Sequence, residues 1–161
     1  MDISKYPELS VFEVELESHI YDSPADAIEM FLDFFTPEAA KKILKSLLVK
    51  YVHGEKKHPV EDEIAAEQFN KSLNDIVKKL DLDKNAGRQE IAHFFLTFPL
   101  PKCREFFSDY LESWMLWPTK LPTKERHTLC IFYQLINVFV DSIYIIDIEA
   151  RQAGSPGAEK K

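Results

Sequence analysis

The 161-residue chain has the length of one domain, and with 45% hydrophobic and 29% charged residues it carries the apolar material that a disordered chain lacks. Its 4 glycines, two of them near the C-terminus (Gly154 and Gly157), argue against an all-β fold of many hairpins, which needs positive-φ turns. The net charge of −7 is concentrated at one end: through Pro37 nine acidic residues accompany Lys5 alone, a local net of −8, and the remainder holds 19 basic and 18 acidic residues, a pattern opposite in sign to that of a general nucleic-acid binder.

Met1-Asp2-Ile3-Ser4-Lys5 lacks the basic stretch and apolar run of a secretory signal, and Cys103 and Cys130 stand far apart in no CxxC cluster. Reduced thiols and a cytoplasmic location are the expectation. Residues 1–22 read as an acidic N-terminal arm. From Phe12 onward it alternates, with Phe12, Val14 and Leu16 on one side and Glu13, Glu15 and Glu17 on the other, which is strand spacing. No second segment alternates as clearly, so an arm across helices, an edge strand in a dimer and a short helix all remain open.

Ser23-Pro24 and Thr36-Pro37-Glu38 each place a capping hydroxyl before a proline suited to the first helical position, predicting helices over about 24–35 and 37–52. The second carries an apolar stripe of Ile43, Leu44, Leu47, Leu48 and Tyr51 and stops at His53-Gly54. After the loop Glu55 to Pro59, the recurrence of Ala65, Phe69, Leu73, Ile76, Val77 and Leu80 predicts a helix over about 60–80. A polar connection from Asp81 to Gly87 leads to a fourth helix with Ile91, Phe94, Phe95 and Phe98 on its stripe, ended by Pro99. A fifth opens at Pro101 with Cys103, Phe106, Phe107, Tyr110, Leu111 and Trp114, and Pro118 closes it. The last runs from Pro122-Thr123 to about Gln152, roughly 40 Å at 1.5 Å per residue, and 153–161 reads as a flexible tail.

Between Thr128 and Ile148 the last helix is apolar nearly all round, the mark of an element enclosed by others or by lipid. Gln134, Asn137, Asp141 and Asp147 would each be costly in hydrocarbon, so enclosure by protein is the expectation. The expected architecture is therefore all-α: a bundle of about six helices around a long, largely buried C-terminal helix, in one domain over 1–152, with a short extended or strand-like arm.

His127, Cys130, Gln134, Asn137 and Asp141 fall on one line of that helix. The ordinary account makes the line a strip facing water; the alternative turns it inward, to line a ligand pocket or a helix–helix contact. Trp114 and Trp117, around Met115-Leu116, are core residues or, where exposed, interface anchors. Lys41, Lys42 and Lys45, continued by Lys50, Lys56 and Lys57, form a basic run whose ordinary reading is a solvated face. An anion or acidic partner could meet it there, and the acidic arm has the matching sign, in cis or from a dimer mate.

The pairs Glu90/His93 and Glu55/His58 have the Glu-x-x-His spacing used by di-metal bundles, but two single Glu ligands are lacking and His58 lies in a loop. His127 one turn before Cys130 has no third group to orient the imidazole. No Gly-rich phosphate loop, GxSxG or HExxH is present, and no cofactor is expected. Elimination thus leads to a helical protein–protein interaction or regulatory domain without catalytic activity, self-associating as a homodimer or binding a protein partner. A helical-bundle small-molecule or metal-binding protein, an enzyme included, is the alternative.

Overall fold

The computed structural model describes residues 23–83, 85, 87–118 and 122–154. The arm over 1–22, with its alternating segment 11–17, and the tail from 155 lie outside the described residues. Among the described residues there are six helices and no strand: α1 Pro24–Phe34, α2 Pro37–His53, α3 Val60–Leu82, α4 Arg88–Thr97, α5 Leu100–Met115 and α6 Thr123–Gly154. Each expected helix is present. The last one continues two residues past its expected end.

The first two helices begin as their capping residues dictate. Ser23 Oγ accepts the Asp26 N–H at 3.2 Å and Thr36 Oγ1 accepts that of Ala39 at 3.1 Å, while Pro24 and Pro37 occupy the first turn, where a missing N–H costs nothing. α3 follows Pro59 without a side-chain cap; Glu61, Asp62 and Glu63 set negative charge against its N-terminal dipole instead. Between α3 and α4 the chain turns through Gly87, whose φ of 80° lies in the left-handed region that favours glycine. Gly54, after α2, has an ordinary φ but a different constraint: a Cβ there would stand 2.6 Å from the Lys50 carbonyl oxygen.

α6 packs against α1, α4 and α5. Phe31 of α1 lies 5.9 Å from Phe132 and 4.9 Å from Phe139, ring centre to ring centre, and Phe35 lies 5.1 Å from Phe132. The later aromatic of α1 thus meets the earlier part of α6, so the two run antiparallel. On another side Phe95 of α4 meets Tyr144 edge-on at 5.2 Å. From Cys130 to Ile143 buried residues occur all round the helix, including Phe132, Leu135, Ile136, Val138, Phe139, Val140 and Ile143. At roughly 1.5–3 kcal/mol for each large apolar side chain removed from water, this wall carries a large share of the driving force.

The enclosure is shared unequally. α2 and α3 pack mainly on each other, with α5 against α2 and α4 against α3, and so form a second layer joined to α6 through α4 and α5. A second aromatic cluster holds that layer: Phe69 of α3 is surrounded by Phe94, Phe98, Phe106 and Phe107 at 4.8–5.7 Å. Consecutive residues on a helix point about 100° apart, so a paired Phe-Phe serves two neighbours. Phe94 faces Phe69 while Phe95 faces Tyr144. The pair Phe34-Phe35, at the end of α1, divides differently, with Phe35 buried and Phe34 56% exposed.

Candidate functional site

The polar line on α6 turns inward over its middle, correcting the reading of a strip facing water. His127 is exposed near the helix start, but Cys130 and Gln134 are buried and Asn137 and Asp141 half-buried. Asn137 donates through Nδ2 to the Tyr133 carbonyl of its own helix at 2.7 Å. Arg104 of α5 donates through Nη2 to Asp141 Oδ1 at 2.8 Å, so the charge at the far end of the line is an ion pair across the α5–α6 seam. Beside it, burial pushes the Cys103 thiol up to about 12, and its Sγ donates to the Phe98 carbonyl. That thiol is a packing group and has none of the thiolate character of a nucleophile. Asp147, six residues beyond Asp141, is also buried, with Arg151 of the same helix as its partner.

Trp114 is buried in the core, as the ordinary reading of that cluster expects, and Trp117 is half-buried with the Lys50 ammonium 5.4 Å above its ring. The two Glu-x-x-His pairs are not brought together. Glu90 is engaged by Lys79, whose hydrogen bond holds the carboxyl below its usual range, and His93 and Glu55 are exposed. His58 lies just before α3 whereas Lys79 and Glu90 lie near its end, roughly 30 Å away along a helix of this length. Among the described residues no three His, Cys, Asp or Glu side chains are placed to share a metal ion.

His58 has a different setting. Its ring stacks on Tyr51 at 3.8 Å and 18°, and Nε2 is shielded from solvent without a hydrogen-bond partner among the described residues. Burial, with Asp109, Asp62, Glu63 and Glu105 nearby, pushes the Tyr51 hydroxyl up to about 12. Tyr51 meets Tyr110 edge-on at 5.6 Å, and from there a buried hydrogen-bond chain crosses the second layer. Tyr110 donates to Asn70 Oδ1 at 2.7 Å, and Asn70 Nδ2 donates to the Leu44 carbonyl at 3.0 Å, linking α5, α3 and α2. Burial raises the Tyr110 hydroxyl far above its ordinary value, so it remains a donor at any physiological pH.

On the outer side of that chain an open groove runs between α2 and α3. Leu32 and the α1–α2 junction at Thr36 and Pro37 stand at one end, and Leu48, Asn70 and Asn74 line it further along. Asn74 Oδ1 is shielded from solvent and accepts no hydrogen bond among the described residues. Lys41 and Lys45 lie on the α2 wall; Lys42, also exposed, is on the adjoining surface. The α3 wall carries Glu67, Lys71, Asp75, Lys78 and Asp81, where each lysine has two carboxylates within one turn along the helix. Glu38 is the only acid within a turn of any of the three α2 lysines. Over the whole lining the charges balance, Lys41, Lys45, Lys71 and Lys78 against Glu38, Glu67, Asp75 and Asp81, with the positive excess on the α2 wall and the negative excess on α3.

Asn70, Asn74 and Arg104 did not stand out in the sequence, and Tyr110 did so only as a member of the fifth helix's apolar stripe. One signal was present: Ala66, Asn70, Leu73 and Val77 recur at spacings of four, three and four, placing Asn70 on the buried stripe. No protein-family model, curated protein or solved structure matches the chain.

Proposed function

We propose that this chain is a non-catalytic helical interaction module that binds an acidic, extended peptide segment in the α2–α3 groove. The observation that carries the reading is an open groove whose α2 wall presents the exposed Lys41 and Lys45 beside the half-buried Leu48. An extended acidic peptide offers carboxylates to the lysines and apolar side chains to the leucine. Half-buried Leu32 and Leu48, with exposed Leu82, add apolar surface for alternate side chains. The inward α6 line is taken up by ion pairing and packing, which favours the groove over it as a binding surface.

A synthetic peptide alternating Glu with apolar residues, titrated onto the full chain, is expected to move backbone amide resonances of α2 and α3 and leave those of α6 in place. Lys41→Glu with Lys45→Glu should weaken it about tenfold, and raising salt should do the same in the unmutated protein. Shifts centred on α6, or an affinity indifferent to both changes, would overturn the reading.

A further inference from the structure

We infer that the face formed by α2 and α3 is a homodimer interface: a second copy of this chain lies across the groove with its α2 on the first copy's α3, and its α3 on the first copy's α2. The inference uses the α2 wall given above to an acidic peptide but stands without that reading.

Two exposed lines make the face. Ile64, Glu67, Lys71, Asp75, Lys78 and Leu82 recur on α3 at spacings of three and four, and Glu38, Lys42, Lys45 and Val49 do so on α2, with Lys41 beside them. Every one of these side chains is exposed, and among the described residues no ion pair joins the two lines. The charge excess is positive on the α2 wall and negative on the α3 wall. Each helix therefore carries the sign that the other attracts, while the open groove holds them apart within one molecule.

Symmetry lets a second copy bring the two signs together. Two copies that meet face to face share a two-fold axis in the plane of contact. Set along the groove, the axis exchanges left for right and keeps every level, so each α2 lies antiparallel on the other copy's α3. Set across the groove, it would lay α2 on α2 and oppose lysine to lysine. The levels follow from the hydrogen bond of Asn70 to the Leu44 carbonyl, because α2 and α3, joined by residues 54–59, run antiparallel. Counted from there, Val49 stands at the level of Ile64, Lys45 of Glu67, Lys41 of Asp75 and Glu38 of Lys78, each to within about 3 Å along the axis. One apolar contact and three opposite-charge contacts are thus made, and the axis makes each of them twice. Val49 and Ile64, 43% and 52% exposed, are covered by it. Lys71 is the one group badly placed, level with Lys41, Lys42 and Lys45 of the second copy. With ion pairs at its middle and that one mismatch, the dimer belongs to the weak, salt-sensitive class.

Sedimentation equilibrium of the full chain tests this with two double variants, Lys41→Glu with Lys45→Glu and Glu67→Lys with Asp75→Lys. The unmodified chain is expected to dimerise reversibly at low salt, and Lys71→Glu to tighten the dimer about tenfold by removing the mismatch. Each double variant alone should be a folded monomer, since one faces acid to acid and the other lysine to lysine. Mixed in equal amounts they should form a heterodimer, a result that misfolding of either could not produce. A short bifunctional thiol reagent should join Val49→Cys chains to Ile64→Cys chains and leave Val49→Cys alone uncoupled, Cys103 and Cys130 being buried. An unmodified chain and a Lys71→Glu variant that are both monomeric at every concentration would overturn the dimer and leave the peptide reading standing. A mixture that stays monomeric while the unmodified chain dimerises would also overturn it, by putting the contact elsewhere. Because both need the α2 wall, the Glu/apolar peptide should release monomers from the dimer. Peptide bound to an intact dimer would overturn the interface and uphold the peptide reading.

Discussion

Tyr110, Asn70 and the Leu44 carbonyl show what a buried polar group contributes in a core of this kind. Each atom in the chain has a partner, at 2.7 and 3.0 Å, so the network costs little while intact and much when cut. Tyr110→Phe is expected to destabilise the protein by about 1–3 kcal/mol, because Asn70 Oδ1 keeps its burial and loses its donor. Adding Asn70→Leu to that variant should recover part of the loss, since both ends of the bond are then apolar; chemical denaturation of the two single variants and the double tests this. Asp109 behaves in the opposite sense to an ordinary surface carboxylate. Burial raises its carboxyl above the ordinary 3.8, with Lys56 and His58 pulling the other way. The folded protein therefore holds that proton more tightly than the unfolded chain, and the stability it supplies is complete below pH 3.8 and lost as pH rises through the raised value. Asp109→Asn should be more stable than the parent at pH 7, with the gap closing toward pH 3.8. A stability–pH series that instead shows the gap widening on acidification would contradict the burial argument.

At the scale of the element, apolar periodicity carried nearly all the information. Ile91, Phe94, Phe95 and Phe98, and Cys103 through Trp114 on the next helix, are buried as their spacing expects, and Ser23 and Thr36 cap as their positions expect. Local chemistry sets these features, so local sequence displays them. The inward turn of the α6 polar line was illegible for the complementary reason: a helix apolar around its circumference offers no contrast from which to read a direction. The groove was half legible. Lys41, Lys42 and Lys45 could be seen as a basic run, but the carboxylates of Glu67, Asp75 and Asp81 join Lys41 and Lys45 in one groove only when α3 lies beside α2. The link between those two helices is also the place where one methyl group should be felt. Gly54→Ala would press a Cβ to 2.6 Å from the Lys50 carbonyl, where backbone must give way. A loss of about 1–3 kcal/mol is expected by thermal or chemical denaturation, even though the φ of −73° suits alanine.

For the whole molecule, the two layers depend on one another through α4 and α5, each of which touches both α6 and the α2–α3 pair. Neither layer can open without uncovering an aromatic cluster, so unfolding should be a single transition. The two cysteines, neither in a disulfide, report on it from both sides, Cys103 on α5 and Cys130 on α6, both buried. Under native conditions neither should react with a thiol reagent on the timescale of a denatured control. Denaturant should release both over the same concentration range, and staggered release would reveal independent layers.

Because α6 lies downstream of every helix that leans on it, a ribosome has already extruded α1, α4 and α5 before their common wall exists. Phe31, Phe35 and Phe95 must wait, uncovered, for partners up to about a hundred residues further along the nascent chain. Contacts of such long sequence separation slow folding and leave greasy surface open in the interim, so during synthesis this protein should lean on holding chaperones until residues 130–143 clear the exit tunnel.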